Sequence, residues 1–185
     1  MAQTNTVARS LHDLGLAAWF GGSLMGAVGL NGAAAQASAL TERSKIANAG
    51  WARWTPVNLA AIAAHLAGGA MLVGGNPKRL VAQAGVGQAS ALKTGLTGAA
   101  LLATGWSRVL GQRVMNAGTP PVEGATEPVA STPDDVAAAQ RQLRALQWAI
   151  PALTGALLVV NARMGEQQRP QSVLAGVLHR LNPAA

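Results

Sequence analysis

Residues 14–30, LGLAAWFGGSLMGAVGL, form an uncharged apolar run with no polar stripe. A helix that is apolar on every side is covered by protein or by lipid, never by water. The wider stretch LHDLGLAAWFGGSLMGAVGLN (11–31) nevertheless contains five glycines, each costing a helix about 1 kcal/mol relative to alanine. Such a composition makes physical sense in a bilayer. There the hydrophobic effect does not drive helices together, and small residues hold them by letting backbones approach. Gly15, Ala18, Gly22, Gly26 and Gly29 recur every three or four positions, so they share one face. That face is expected to meet another helix.

Three further runs extend the pattern, and spans are expected over about 14–40, 56–73, 90–110 and 134–162. Ala60, Ala64 and Gly68 repeat the small-residue spacing in the second, and Gly95 and Ala99 in the third. The third is the shortest, uncharged only from Thr94 to Ser107, and crosses a bilayer only if Lys93 and Arg108 snorkel to opposite surfaces. Ala37-Ser38-Ala39 has the form of a signal cleavage site, but the run before it is too long for a signal peptide and reads as a retained anchor.

Composition agrees. Half of the residues are hydrophobic and 11% are charged, against about 25% in soluble domains. The net charge of +7 comes from basic residues standing singly or in pairs at the ends of apolar runs. There they face lipid headgroups, so the bilayer and not nucleic acid is the expected charged partner. Lys and Arg are equal in number on the two sides of a four-span chain, which leaves orientation undetermined. Without cysteine there is no disulfide and no thiolate site.

Residues 41–54 and 131–148 read as short interfacial amphipathic helices leading into the following spans. The segment 114–133, rich in Pro and Gly, reads as a flexible exposed loop, and 166–185 as a tail lying on the membrane surface. Pro151 is expected to kink its helix.

The uncharged apolar runs of the spans, the fourth being 145–162, hold no Asp or Glu, and their polar residues His65, Asn31, Asn58 and Asn161 read as interhelical hydrogen-bonding groups. His12 at the start of the first span and His65 near the middle of the second are expected to lie at depths about 10 Å apart, poorly placed to share a haem iron. No nucleophile–base pair, phosphate loop or metal-ligand spacing is visible, so no catalytic residue, metal site or cofactor is expected. Trp51, Trp54, Trp106 and Trp148 fall at span ends and read as an aromatic belt.

The segments HDLGLAAWFGGSLMGAVGLN, GWARWTPVN, ALKTGLTGAALLATGWSRVLGQRV and AQRQLRALQWAIPALTGALLVVNARMGEQQRP together resemble a family of small four-span actinobacterial membrane proteins. The resemblance covers most of residues 10–170 and implies no activity. His12 followed by Trp19-Phe20-Gly21-Gly22 is also similar to the first span of copper-resistance-D-like membrane proteins, although the Met/His/Cys-rich sites expected for copper are absent. The expectation is an all-α integral membrane four-helix bundle, multi-pass in a bacterial plasma membrane. Its expected role is a non-catalytic accessory or scaffold subunit that binds a membrane-protein partner or a second copy of itself. A carrier or channel for a small or lipophilic molecule is the alternative.

Overall fold

The computed structural model describes residues 5–74 and 86–166. Four long helical segments account for most of them: α1 (Thr6–Met25), continued through a π-helical turn (Gly26–Leu30) into α2 (Asn31–Ala35); α3 (Leu40–Gly74); α4 (Val86–Asn116); and α5 (Asp134–Glu166). Between α4 and α5, strands β1 (Val122–Gly124) and β2 (Glu127–Pro128) pair as an antiparallel hairpin. The all-α expectation holds.

Three segments, Thr6–Ala35, Leu40–Gly74 and Asp134–Gly165, are long and apolar enough to cross a membrane. The segment over 90–110 is helical but does not belong to that set. The spans also differ in extent from their expected limits. The first helix stops at Ala35, not at 40, and the chain turns at 36–39. The amphipathic segments 41–54 and 131–148 are not separate helices; they are the first turns of the 35-residue α3 and the 33-residue α5. Both helices carry an internal proline, Pro56 and Pro151. Near Pro151 the Thr154 hydroxyl donates to the Ile150 carbonyl at 2.8 Å, the local back-bonding that often accompanies a bend. The expected surface tail falls almost wholly on residues outside those described.

α1 packs along α3, α4 packs along α5, and contact between α1 and α5 joins the two pairs. α3 and α4 scarcely touch. The bundle is therefore ordered α3–α1–α5–α4 and open along one edge. Its centre is Leu16, Trp19, Ile62, Ala100, Ile150 and Leu157, drawn from all four helices. Trp19, fully buried, donates its indole N–H to Thr104 Oγ1 at 3.1 Å and so ties α1 to α4. A second cluster, Leu110, Val114, Val136 and Ala139, closes α4 on α5 beside the hairpin.

The segment 114–133 is not the exposed loop its composition suggests. α4 runs on to Asn116, and Val122, Gly124, Thr126 and Thr132 are buried. Side chains of α3 and α5 bind it. Arg43 of α3 donates to the Glu123 carbonyl and pairs with its carboxylate at 3.1 Å. Gln140 of α5 donates to the carbonyls of Gly124 and Ala125. Thr126 Oγ1 accepts from Gln147 Nε2. Buried backbone needs such partners, and Thr132 supplies another by donating to the Pro121 carbonyl at 2.6 Å. The acids of this segment pair with arginines, Glu127 with Arg144 at 3.4 Å.

Candidate functional site: a lateral cavity and its two closures

The α1–α3 crossing is set by a repeated pattern. Ala8, His12 and Gly15 on α1 have the same spacing as Ala61, His65 and Gly68 on α3. A Cβ on Gly15 would run into the Ala61 carbonyl oxygen and the His65 backbone. One on Gly68 would run into the Ala8 carbonyl oxygen and the His12 backbone. The two contacts are mirror copies, so an approximate local two-fold relates the antiparallel helices. Glycine at these two positions is what permits backbone contact.

On that local axis His12 Nδ1 donates to the His65 carbonyl at 2.9 Å and His65 Nδ1 to the His12 carbonyl at 3.0 Å. Each acceptor is a carbonyl, so both rings carry their proton on Nδ1. The rings stack with centroids 4.0 Å apart and planes 18° from parallel. This corrects the expected difference in depth. The start of an apolar run does not mark depth here, because α3 starts at Leu40, well before its apolar run, and the turn at 36–39 folds His65 back beside His12.

Both Nδ1 atoms are committed to the neighbouring backbone, and the stacked rings lie too close for an iron between them. The pair clasps two helices. His12 Nε2, left as an acceptor, meets Lys93 Nζ of α4 and lies 3.4 Å from Asn161 Nδ2 of α5. Lys93 therefore reaches inward across the open edge instead of snorkelling to the surface. Among the described residues no three His, Cys, Asp or Glu side chains are grouped to hold a metal ion.

The other end of the open edge is closed by the β1–β2 hairpin. Its neighbour Asn31, set just after the π-turn, is buried. A π-turn holds one more residue than an α-turn and rotates the residues beyond it by about 100°. That rotation accompanies a network in which Asn31 Nδ2 donates to Gln147 Oε1 and Asn31 Oδ1 accepts from Trp51 Nε1, both at 2.9 Å.

Between these closures lies a half-open cavity of about 490 Å3, walled by α3 and α4, backed by α1 and α5, and floored by Ala125 and Thr126. Its size is that of a small-molecule pocket, about 300–1,000 Å3. Its lining is mixed: Asn48, Trp51, Thr126 and Gln147 stand at the hairpin end with Val114, Met115 and Leu143, and Ile62, Leu101 and Ile150 line the interior with Ser23 and Thr104. Trp54 Nε1 and Asn58 Oδ1, on the α3 wall, are buried with no hydrogen-bond partner. Arg108 and Leu59, the latter 67% exposed, stand where the wall meets the outside.

The small-residue positions divide accordingly. Gly15 and Gly68 bring backbones together, as expected of such a face. Gly22 and Gly26 do not: added Cβ atoms there would strike the rings of Trp54 and Trp51. These glycines are seats for indoles, and the two tryptophans belong to the cavity wall and not to an aromatic belt. Trp106 and Trp148, about half exposed, remain at the outside. A Cβ on Gly29 would meet only Met25 of the preceding turn. Ala60 and Ala99 are exposed, and Gly95 has no atom near its would-be Cβ, so these three hold no helix contact. Ala18 and Ala64 lie on the α1 and α3 faces, both half-buried. Asn161 packs beside His12, its Oδ1 unpartnered.

Sequence reasoning missed the cavity and the histidine clasp. The repeated Ala-x3-His-x2-Gly spacing could have revealed the clasp; nothing local marks the cavity. Comparisons with protein-family models, curated proteins and solved structures return no match for the chain.

Proposed function

We propose that this chain is a multi-pass plasma-membrane protein of four spans that binds and carries a small lipophilic molecule in the cavity between α3 and α4, without acting on it chemically. The observation that carries this reading is the open edge: a largely apolar cavity of about 490 Å3 faces sideways, between two helices that scarcely pack on each other. A site facing the acyl chains suits a ligand that arrives from the bilayer. The unpartnered Trp54 N–H and Asn58 oxygen on its wall fit a ligand with polar as well as apolar parts. For α4 to span, Arg108 reaches the headgroups while Lys93 is satisfied inside the bundle by His12.

Gly105 and Gly111 line the cavity, and a Cβ at either would meet nothing within 4 Å. Leucine at these positions fills the cavity without straining the helix. Native mass spectrometry of protein released from its own membranes should show a bound lipophile in the wild type, lost in Gly105→Leu and Gly111→Leu. A wild type free of adduct, or adducts indifferent to both substitutions, would remove the support for a carrier.

An accessory or scaffold subunit is the second reading. It is favoured by the outer side of α4, where Gly95 and Gly98 lack neighbours and Leu102 is 77% exposed. A stoichiometric membrane-protein partner that is retained on purification and lost in Gly95→Leu would favour it over the carrier.

A further inference from the structure

We infer that the cavity ligand is a single-chain amphiphile with an anionic head, held with the head at Arg108 and the chain toward Ile62, Leu101 and Ile150. This rests on the carrier reading above and adds the ligand's charge and orientation. The first ground is the mixed lining: the Trp54 N–H and the Asn58 oxygen, buried without partners, share the wall with the aliphatic Ile62, Leu101 and Ile150. A ligand with both a polar and an apolar part satisfies both kinds of surface.

The second ground is charge. Around the hairpin end the arginines that face acids are used: Arg43 pairs with Glu123 and Arg144 with Glu127. Arg108, exposed at the mouth of the cavity midway along its α4 wall, has no ion-pair partner among the described residues. No carboxylate lines the cavity, and Asp135, which shares a neighbouring surface depression with Arg108, does not pair with it. A guanidinium offers five donors in a fork suited to carboxylate or phosphate oxygens. The third ground is size. The volume falls in the small-molecule range, which suits one chain better than a two-chain bilayer lipid.

The test uses the full chain in nanodiscs of zwitterionic lipid, with Trp106→Phe and Trp148→Phe so that only Trp19, Trp51 and Trp54 report. The probes are 9,10-dibromostearate and its uncharged methyl ester, whose bromines quench nearby indoles. Saturable quenching by the acid is expected, with the ester binding at least about tenfold more weakly, the worth of a hydrogen bond to a charged group. Arg108→Gln should erase that preference, and Arg53→Gln, which removes an exposed charge outside the cavity, should keep it. Equal binding of acid and ester, unchanged by Arg108→Gln, overturns the anionic head while leaving a cavity that binds lipophiles. Equal losses in Arg53→Gln and Arg108→Gln also overturn it, since surface charge then explains the preference. Quenching that never saturates and persists in Gly105→Leu overturns the carrier reading itself.

Discussion

His12 and His65 each donate a ring N–H to the other's backbone carbonyl, across a crossing where Gly15 and Gly68 leave no room for a side chain. A main-chain carbonyl in a helix already accepts one bond from its own helix and has a second lone pair to offer. The two imidazoles use those spare lone pairs, so the clasp joins two helices without unwinding either. Lys93 then extends the clasp to α4 through the remaining nitrogen of His12.

Truncating either histidine should therefore destabilise the protein to a similar degree. A lost buried hydrogen bond together with lost stacking costs on the order of 1–3 kcal/mol. The rings touch, so His12→Ala, His65→Ala and the double variant should be non-additive by about 0.5–3 kcal/mol. Reversible unfolding in mixed micelles measures all three. Strict additivity would mean the two rings do not act as one unit.

At Gly15 and Gly68 even alanine should be harmful, because the would-be Cβ meets main-chain atoms that cannot swing aside. Overpacking of this kind costs about 1–3 kcal/mol. Gly21→Ala and Gly95→Ala are matched controls, since nothing lies within 4 Å of either Cβ. Those two should be neutral or slightly stabilising, as glycine-to-alanine changes in helices are. Thermal unfolding midpoints that fail to separate the two pairs would contradict the backbone contact.

How much of this was written locally is clear from particular residues. The uncharged stretch after Asp13 and the apolar part of α3 announce helices fit for lipid, because hydropathy and length are local properties. The clasp was encoded too, as two Ala-x3-His-x2-Gly patterns 53 residues apart, but reading it requires knowing that the chain turns at 36–39. The docking of the β1–β2 hairpin is different. Its prolines and glycines announce turns, while the groups that hold it down include Arg43, on a helix distant in sequence, and Gln140, on the helix after it. The cavity is less legible still, since it exists because α3 and α4 stay apart.

The docked hairpin makes a claim about proteolysis. In membranes opened to both sides, residues 120–132 should resist cleavage, because a protease needs several residues of free extended backbone. Gln140→Ala removes the donor to the Gly124 and Ala125 carbonyls and should make this segment cleavable. Arg43→Ala should act in the same direction by releasing Glu123. Rapid cutting within 120–132 of the unaltered protein would show that the hairpin is undocked in the membrane.

Gly22 offers the sharpest distinction between a seat for a side chain and a contact between backbones. Leucine there collides with the Trp54 ring, and a ring can move where a carbonyl cannot. Gly22→Leu should thus cost about 1–3 kcal/mol as an overpacked site, and removing the obstacle should return most of it. Trp54→Ala alone leaves a large void and is itself expected to cost about 3–5 kcal/mol. Combined, Gly22→Leu and Trp54→Ala place a new side chain where the old ring was, so the double variant should be more stable than Trp54→Ala. The same reciprocity is expected for Gly26 with Trp51, whose indole also bonds Asn31; there rescue should be smaller, because truncating Trp51 also leaves buried Asn31 Oδ1 without its donor. Unfolding midpoints of the four single and two double variants decide the matter. Purely additive losses at both pairs would mean that the indoles do not sit on the glycines, and the cavity wall they form would have to be redrawn.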